Sequence, residues 1–195
     1  MKLRQSNDRA VESMHIIVTG LPASGKSSVG KLLASDFGLE LLDKDDILES
    51  MFEDKAGGPE VRRRLSREAD EILRRNALES TGAVLVSWWR HPKSRIDTGT
   101  PTDWLSSLSG RLIHVHCKCD AFVAANRFHL RKRHPGHLDD SKTLYEILTT
   151  FRAFEGLGVI DLGIPVVEVD TSLQINADEL FRRIVIGCGL NESGR

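Results

Sequence analysis

The chain has 195 residues, a formal net charge of −1 and three cysteines, and hydrophobic residues make up 40% of it. This length predicts one domain with a single core, and the near-neutral charge argues against a dedicated nucleic-acid surface. Three cysteines do not make a disulfide framework and no apolar run is long enough to span a bilayer, so we expect a cytoplasmic protein without membrane contact.

Polar residues 1–13 are expected to form a mobile tail before a single domain over residues 14–190. In that domain, short apolar segments alternate with longer amphipathic ones, which is typical of a parallel sheet covered by helices. The apolar segments predict five strands: His15–Thr19, Leu39–Leu42, Ala83–Ser87, Leu112–Cys117 and Val166–Val169. The amphipathic segments predict six helices: Lys26–Phe37, Asp45–Phe52, Glu60–Leu78, Ala121–Arg133, Lys142–Phe154 and Ala177–Ile186. The weakly patterned stretch from His91 to Ser109 is expected to be a long surface connection over the carboxyl edge of the sheet, where such folds bind ligands, and to form a wall of the acceptor pocket.

A phosphate-binding loop is predicted directly after the first strand. Small residues let the backbone curl so that several N–H groups point at one anion, and the following helix turns its positive end toward it. Lys26 is expected to meet the outer phosphates and Ser27 the accompanying magnesium ion. The residues expected to contact the nucleotide here are Gly20, Leu21, Pro22, Ala23, Ser24, Gly25, Lys26, Ser27 and Ser28.

Three carboxylates follow the second strand, in the order Asp43, Lys44, Asp45, Asp46. Because neighbouring parallel strands end at one rim, these carboxylates should face the γ-phosphate. Phosphoryl transfer to a hydroxyl needs a base and a carboxylate beside the metal. We assign Asp45 as the general base and Asp43 as the metal-side partner or the alternative base. Asp43 or Asp46 is expected to cap the next helix.

Other polar clusters favour plainer interpretations. The arginines of the Glu60 helix are interpreted mainly as a solvated face, with substrate or partner contact as the alternative. His114 and His116 share one face of a strand and Cys117 lies on the other, which argues against a shared metal site.

The phosphate loop, the acidic element after strand two and the arginine-rich segment late in the chain resemble the small P-loop kinases of the nucleoside-kinase type. The similarity is to the branch with chloramphenicol phosphotransferase, polynucleotide 5'-kinase, gluconate kinase and the zeta toxins. It implies a three-layer α/β P-loop NTPase fold with a five-stranded parallel sheet, helices on both faces and a helical lid at about 124–140. In that lid, Arg127 and Arg131, one helical turn apart and facing the same side, would stabilise the transferring phosphate, and Arg133 is the next candidate for the nucleotide. His134 and His137 would contact the acceptor or fix the hinge.

The resemblance also has implications outside the lid. Related kinases place the turn after the last strand beside adenine, which implicates Asp170 and Thr171. After the third strand, where many NTPases hold magnesium through an aspartate, this chain has Ser87, and metal holding shifts toward Ser27 and Asp43.

Acceptor contacts are expected after the third strand, from Trp88, Trp89 and Arg90, together with Asp43 and Asp45. Consecutive tryptophans on a strand point to opposite faces, so at least one of them could belong to the core.

The sequence therefore predicts a kinase that uses ATP and Mg²⁺ and phosphorylates a hydroxyl of a small molecule. An antibiotic, a sugar and a nucleoside fit equally well. The alternatives are a nucleoside monophosphate kinase and a non-catalytic nucleotide-binding switch. The oligomeric state stays open.

Overall fold

The computed structural model describes residues 13–52, 57–139, 142–187 and 189. The tail expected at 1–13 lies outside these residues except for Ser13, whose carbonyl accepts a hydrogen bond from the Arg111 N–H at 2.7 Å. The five strands are β1 (Met14–Gly20), β2 (Glu40–Asp43), β3 (Gly82–Val86), β4 (Arg111–Lys118) and β5 (Val166–Asp170). The helices are α1 (Lys26–Phe37), α2 (Lys44–Ser50), α3 (Pro59–Glu79), α4 (Ala121–Leu130), α5 (Leu144–Glu155) and α6 (Ala177–Gly187).

All five strands are parallel, in the order β2-β3-β1-β4-β5. Strand β1 is central, with Ile16 beside Val84 of β3 and Ile113 of β4. The chain leaves β1 where the strand order reverses, which is where open α/β sheets bind ligands. The predicted five-stranded parallel sheet is confirmed.

Apolar side chains cover both faces of the sheet. On one face, Val18 and Val115 pack with Leu33 of α1 and Ile184 of α6. On the other, Ile17 and Leu85 pack with Leu73 of α3 and with the segment after β3. Strands β1 and β3 therefore read as nearly continuous apolar runs, because both of their faces are buried. The predicted three-layer architecture is confirmed.

The segment from His91 to Ser109 contributes to this core. Trp104 and Leu105, in a short 3₁₀ helix at Asp103–Ser107, are buried against the second face. The expectation of a purely surface connection was wrong, because the two apolar side chains anchor the segment.

Helix bounds follow local chemistry. Helix α1 matches its predicted range, α3 begins with Pro59 at its first turn, and the Thr143–Glu146 capping box starts α5. Helix α4 was predicted to reach Arg133 but ends at Leu130, because Arg131 adopts extended backbone angles. Among the described helices, none combines the length and apolar character needed to cross a membrane.

Candidate active site

The loop after β1 has the backbone shape of an anion cradle. Gly20 has a φ of 140°, and a Cβ placed there would lie 2.6 Å from the Cys117 carbonyl oxygen, so only glycine fits. Ala23 adopts a φ of 58°, which is uncommon for a residue with a Cβ. The buried hydroxyl of Ser24 has no hydrogen-bond partner among the described residues. The loop therefore holds strained backbone and an unsatisfied polar group where a phosphate would bind.

Lys26 lies over this loop. Its ammonium donates to the carbonyls of Leu21 at 2.7 Å and Gly20 at 3.2 Å. Burial lowers the pKa of Lys26, and the nearby carboxylates of Asp43 and Asp45 oppose that shift. These hydrogen bonds hold the ammonium of Lys26 next to the anion cradle.

Ser27 and Asp43 join the loop to the end of β2. The Ser27 hydroxyl donates to Oδ2 of Asp43 at 2.6 Å, while Oδ1 accepts from the Asp45 N–H and caps α2. Burial raises the pKa of Asp43, and the Ser27 hydrogen bond works against that rise. Within the described ranges there is no group of three or more His, Cys, Asp or Glu that could hold a metal alone. A hydroxyl and one carboxylate still fit Mg²⁺, which keeps several waters and binds phosphate oxygens.

The side chain of Asp45 extends from the first turn of α2 toward Arg133. Its Oδ2 lies 2.7 Å from Nη2 of Arg133. Burial pushes the pKa of Asp45 upward, but attraction to Arg133, His137 and Lys26 outweighs burial and holds the pKa below its ordinary value. Asp45 is therefore an ionised carboxylate within electrostatic reach of Lys26.

The segment 131–139, which we call the lid segment, is closed onto α2 and α3. Arg131 and Arg133 both bind Asp139 at 3.3 Å. His137 is buried and lies 2.8 Å from Glu49. Phe52 stacks on His134 at 4.9 Å between ring centroids. These contacts hold Arg131 and Arg133 near Asp45.

Comparison with known proteins places this chain in a family. Residues 16–154, well over half of the chain, match AAA_33, described as an AAA domain. The chain belongs to this family.

Individual relatives are kinases. A shikimate kinase from Bacillus cytotoxicus is 24% identical over 177 residues, which are 87% of this chain and 97% of that protein. A solved structure assigned as a kinase, from Chloroflexus aurantiacus, has a TM-score of 0.74 and 26% identity over 90% of this chain and 98% of that one. A gluconokinase from Sinorhizobium meliloti shares the fold, with a TM-score of 0.55 and 19% identity over 91% of this chain and 92% of that one. The predicted resemblance to small P-loop kinases is confirmed.

In this AAA domain, Arg127 is separated from the other lid arginines. Its guanidinium donates to the carbonyls of Thr171 at 2.8 Å and Ser172 at 3.3 Å. We expected Arg127 and Arg131 to face the same side of one helix, and this was wrong because α4 ends between them. Arg127 therefore lies at the turn after β5, away from the Asp45–Arg133 pair.

The two tryptophans after β3 have different surroundings. Trp89 is buried in the core, its indole N–H donates to the Val18 carbonyl at 2.9 Å, and its side chain also borders a cavity. Trp88 packs edge-on against Phe154 and lines a cavity. Arg90, expected to contact the acceptor, binds Asp97 at 2.6 Å.

The remaining predicted residues have local partners. Asp170 accepts from the Ser172 N–H, and Thr171 donates to the Lys118 carbonyl. A Cβ on Gly25 would lie 3.7 Å from the Thr171 side chain, so this turn borders the phosphate loop. His134 accepts from the Gly136 N–H, which favours the hinge role of this histidine over acceptor contact.

Sequence reasoning missed two polar contacts made by α3. Nε of Arg62 donates to the His137 carbonyl at 3.3 Å, and Asp70 binds Lys44 of α2 at 2.6 Å. The arginines of α3 were interpreted mainly as solvated. Helical spacing shows that they lie on the side opposite the apolar stripe, but it does not show what packs against that side. Arg62 at the start of that face meets the lid segment, and only the tertiary fold reveals it.

Proposed function

We propose that this AAA domain is a magnesium-dependent kinase that transfers the γ-phosphate of ATP to a hydroxyl of a small molecule. The observation that carries the proposal is the convergence of Lys26, Ser27, Asp43 and Asp45 at the ends of β1 and β2. An ammonium, a hydroxyl and two carboxylates around a curled loop are what phosphoryl transfer to an alcohol requires.

Each group has a distinct task in this proposal. Loop amides and Lys26 hold the phosphates. Ser27 and Asp43 would hold Mg²⁺, which would supply charge neutralisation for the phosphates. Asp45 orients the acceptor hydroxyl and takes its proton as the oxygen bonds to the γ-phosphorus. The bond from the γ-phosphorus to the bridging oxygen breaks, and ADP leaves with that electron pair.

The arginines divide between the two ends of the nucleotide. Arg131 and Arg133, held beside Asp45 by the lid segment, are assigned to the charge that develops on the transferring phosphate. Arg127 lies against the turn at Thr171 and Ser172 and is assigned to the adenine end instead. When Arg133 turns to the phosphates, Asp45 loses its ion pair and becomes a stronger base.

An ADP-release screen with nucleosides, sugars and hydroxylated antibiotics tests the proposal. We expect one acceptor class to raise turnover well above the Mg-ATP background. Asp45→Asn should lower that rate about a hundredfold or more, the usual contribution of a general base. Asp46→Asn is the matched control, because Asp46 is exposed on the same helix.

The outcomes separate the competing functions. If Asp45→Asn keeps most of the turnover on a monophosphate acceptor, the protein is a nucleoside monophosphate kinase, because an ionised phosphate needs no base. If no acceptor raises turnover while Mg-ATP binding is normal, the protein is a nucleotide-binding switch and the kinase proposal fails.

A further inference from the structure

A cavity of about 420 Å³ lies beside the phosphate loop, at the carboxyl ends of β1, β4 and β5. We call it the β4–β5 cavity. Its wall includes Gly20 and Leu21, whose carbonyls accept the hydrogen bonds of Lys26. Its volume falls in the range that holds a compound of one or two rings, about 300–1,000 Å³. A molecule bound there would reach the edge of the phosphate site.

Part of the wall is apolar and shaped for a ring. Trp88 and Phe154 meet edge-on, with centroids 5.1 Å apart, and Val159 and Ile160 continue the surface. Flat aromatic and branched aliphatic side chains bury a ring with little loss of their own freedom.

Two neutral histidines add hydrogen-bonding groups. Nδ1 of His91 accepts from the Lys93 N–H, so the proton of the neutral ring resides on Nε2. That Nε2 is buried near the Val159 carbonyl, and within the described chain it makes no hydrogen bond of standard geometry. His116 is bound through Nδ1 to Thr19 at 2.9 Å. Burial lowers the pKa of both histidines, so neither supplies a cation at neutral pH.

The wall of the β4–β5 cavity carries more negative than positive side chains. Among the described residues that line the cavity, four are carboxylates and one is a lysine: Asp120, Glu155, Glu168, Asp170 and Lys118. Two neighbouring cations direct their hydrogen bonds elsewhere, Lys26 to the loop carbonyls and Arg127 to Thr171 and Ser172. A bound carboxylic acid would be desolvated beside like charges, whereas an amine would be attracted.

We infer that the part of the β4–β5 cavity between the Trp88–Phe154 wall and Glu168 binds the body of the acceptor, which leaves the Thr171–Ser172 turn to the adenine end. We further infer that this acceptor is a hydroxylated ring compound bearing an amino group, not a carboxylic acid. The inference rests on the proposed function. It sets this chain apart from a kinase whose acceptor is an anionic acid, although the fold is shared.

Calorimetry with three matched probes tests the inference: the benzyl glycosides of glucosamine, glucose and glucuronic acid. They share one ring and differ in charge. We expect the glucosamine probe to bind at least about tenfold more tightly than the glucuronic acid probe. Val159→Trp should abolish binding of all three by filling the cavity, while Mg-ATP binding stays unchanged.

Charge reversal at Glu168 isolates the electrostatic part. Glu168 is exposed on β5, whereas the side chain of Asp120 caps α4 and that of Asp170 accepts from the Ser172 N–H in the turn after β5. Glu168→Lys should weaken the glucosamine probe about tenfold, a change of about 1.4 kcal/mol. Glu40→Lys is the matched control, because Glu40 is exposed on β2 at the opposite edge of the sheet.

The inference is overturned if none of the probes binds, if the acid binds as tightly as the amine, or if the Glu168 and Glu40 variants behave alike. ADP release separates this failure from failure of the proposed function. Turnover stimulated by the glucuronic acid probe would preserve the kinase proposal and refute the inference. Selective amine binding without any stimulated turnover would support the cavity assignment and count against the kinase.

Discussion

The carboxylate of Asp45 is paired with the guanidinium of Arg133 at 2.7 Å, so the candidate base and a lid arginine neutralise each other. Arg133 also binds Asp139 and lies 3.8 Å from Glu49. An arginine shared by three carboxylates is a group that phosphate oxygens can recruit, because a triphosphate carries more charge than any one of them. The position of the lid segment therefore decides whether Arg133 is near enough to lower the pKa of Asp45.

Replacing Arg133 should change the pH dependence of turnover. Asp45 must be ionised to take a proton, and Arg133 is the largest of the attractions that hold its pKa down. In Arg133→Met that pKa rises, so the acid limb of the kcat/KM profile should move to higher pH, and kcat should fall as well. Arg74→Met, which removes an exposed ion pair with Glu71, is the control. An acid limb that does not move in Arg133→Met would show that Asp45 is not the titrating base.

A methyl group on Gly20 should damage both the fold and the site. Gly20→Ala places a Cβ against the Cys117 carbonyl at a φ of 140°, and strain of this kind costs about 1–3 kcal/mol. Gly58→Ala is the control, because nothing lies within 4 Å of a Cβ there. Thermal denaturation should show a lower Tm for Gly20→Ala alone, and calorimetry should show weakened Mg-ATP binding. An unchanged Tm for Gly20→Ala would contradict the geometry of the loop.

The sheet and the phosphate loop were predictable because their signals are local. Three β-branched residues, Ile16, Ile17 and Val18, mark the buried strand, and the spacing from Gly20 to Ser27 carries the chemistry of the loop. The capping role of Asp43 was also among the predictions, since an aspartate before a helix commonly accepts a backbone N–H.

The lid contacts were less predictable because they depend on chain direction. Periodicity continued α4 through Arg131, whereas the backbone turns there and sends Arg127 and Arg131 to different partners. Trp88 and Trp89 look alike in sequence and both line a cavity, yet only tertiary packing decides that Trp89 also belongs to the core. Long-range pairs such as Glu49 with His137 leave no mark on local spacing.

Cys117 in β4 and Cys119 just after that strand should resist alkylation in the native protein. Burial raises the pKa of Cys117 to about 12 and also raises that of Cys119, so little thiolate exists near pH 8. In a Cys188→Ser variant, iodoacetamide should modify these two thiols at least about a hundredfold more slowly without urea than in urea. Equal rates in the two conditions would mean that the strand end opens freely.

His114 should make the protein sensitive to mild acid. Burial lowers its pKa to about 4 from 6.5, and its Nε2 lies 2.7 Å from the Thr19 hydroxyl. Between these pH values the unfolded chain binds a proton that the folded protein refuses, so the free energy of unfolding falls as the pH falls. The full effect of such a shift is about 3 kcal/mol, present above pH 6.5 and lost by about pH 4.

Urea denaturation at several pH values checks this expectation. His114→Gln should lose less stability between pH 6.5 and pH 4 than the parent protein, because glutamine does not titrate. His129→Gln, at an exposed position on α4, should retain the parent's slope. Because burial also lowers the pKa values of His91 and His116, part of the slope should survive in His114→Gln. Identical slopes for the His114 variant and the parent would mean that the His114 ring is protonated in the folded state. That result would contradict the lowered pKa of His114, because burial and the neighbouring His116 both disfavour a charge there.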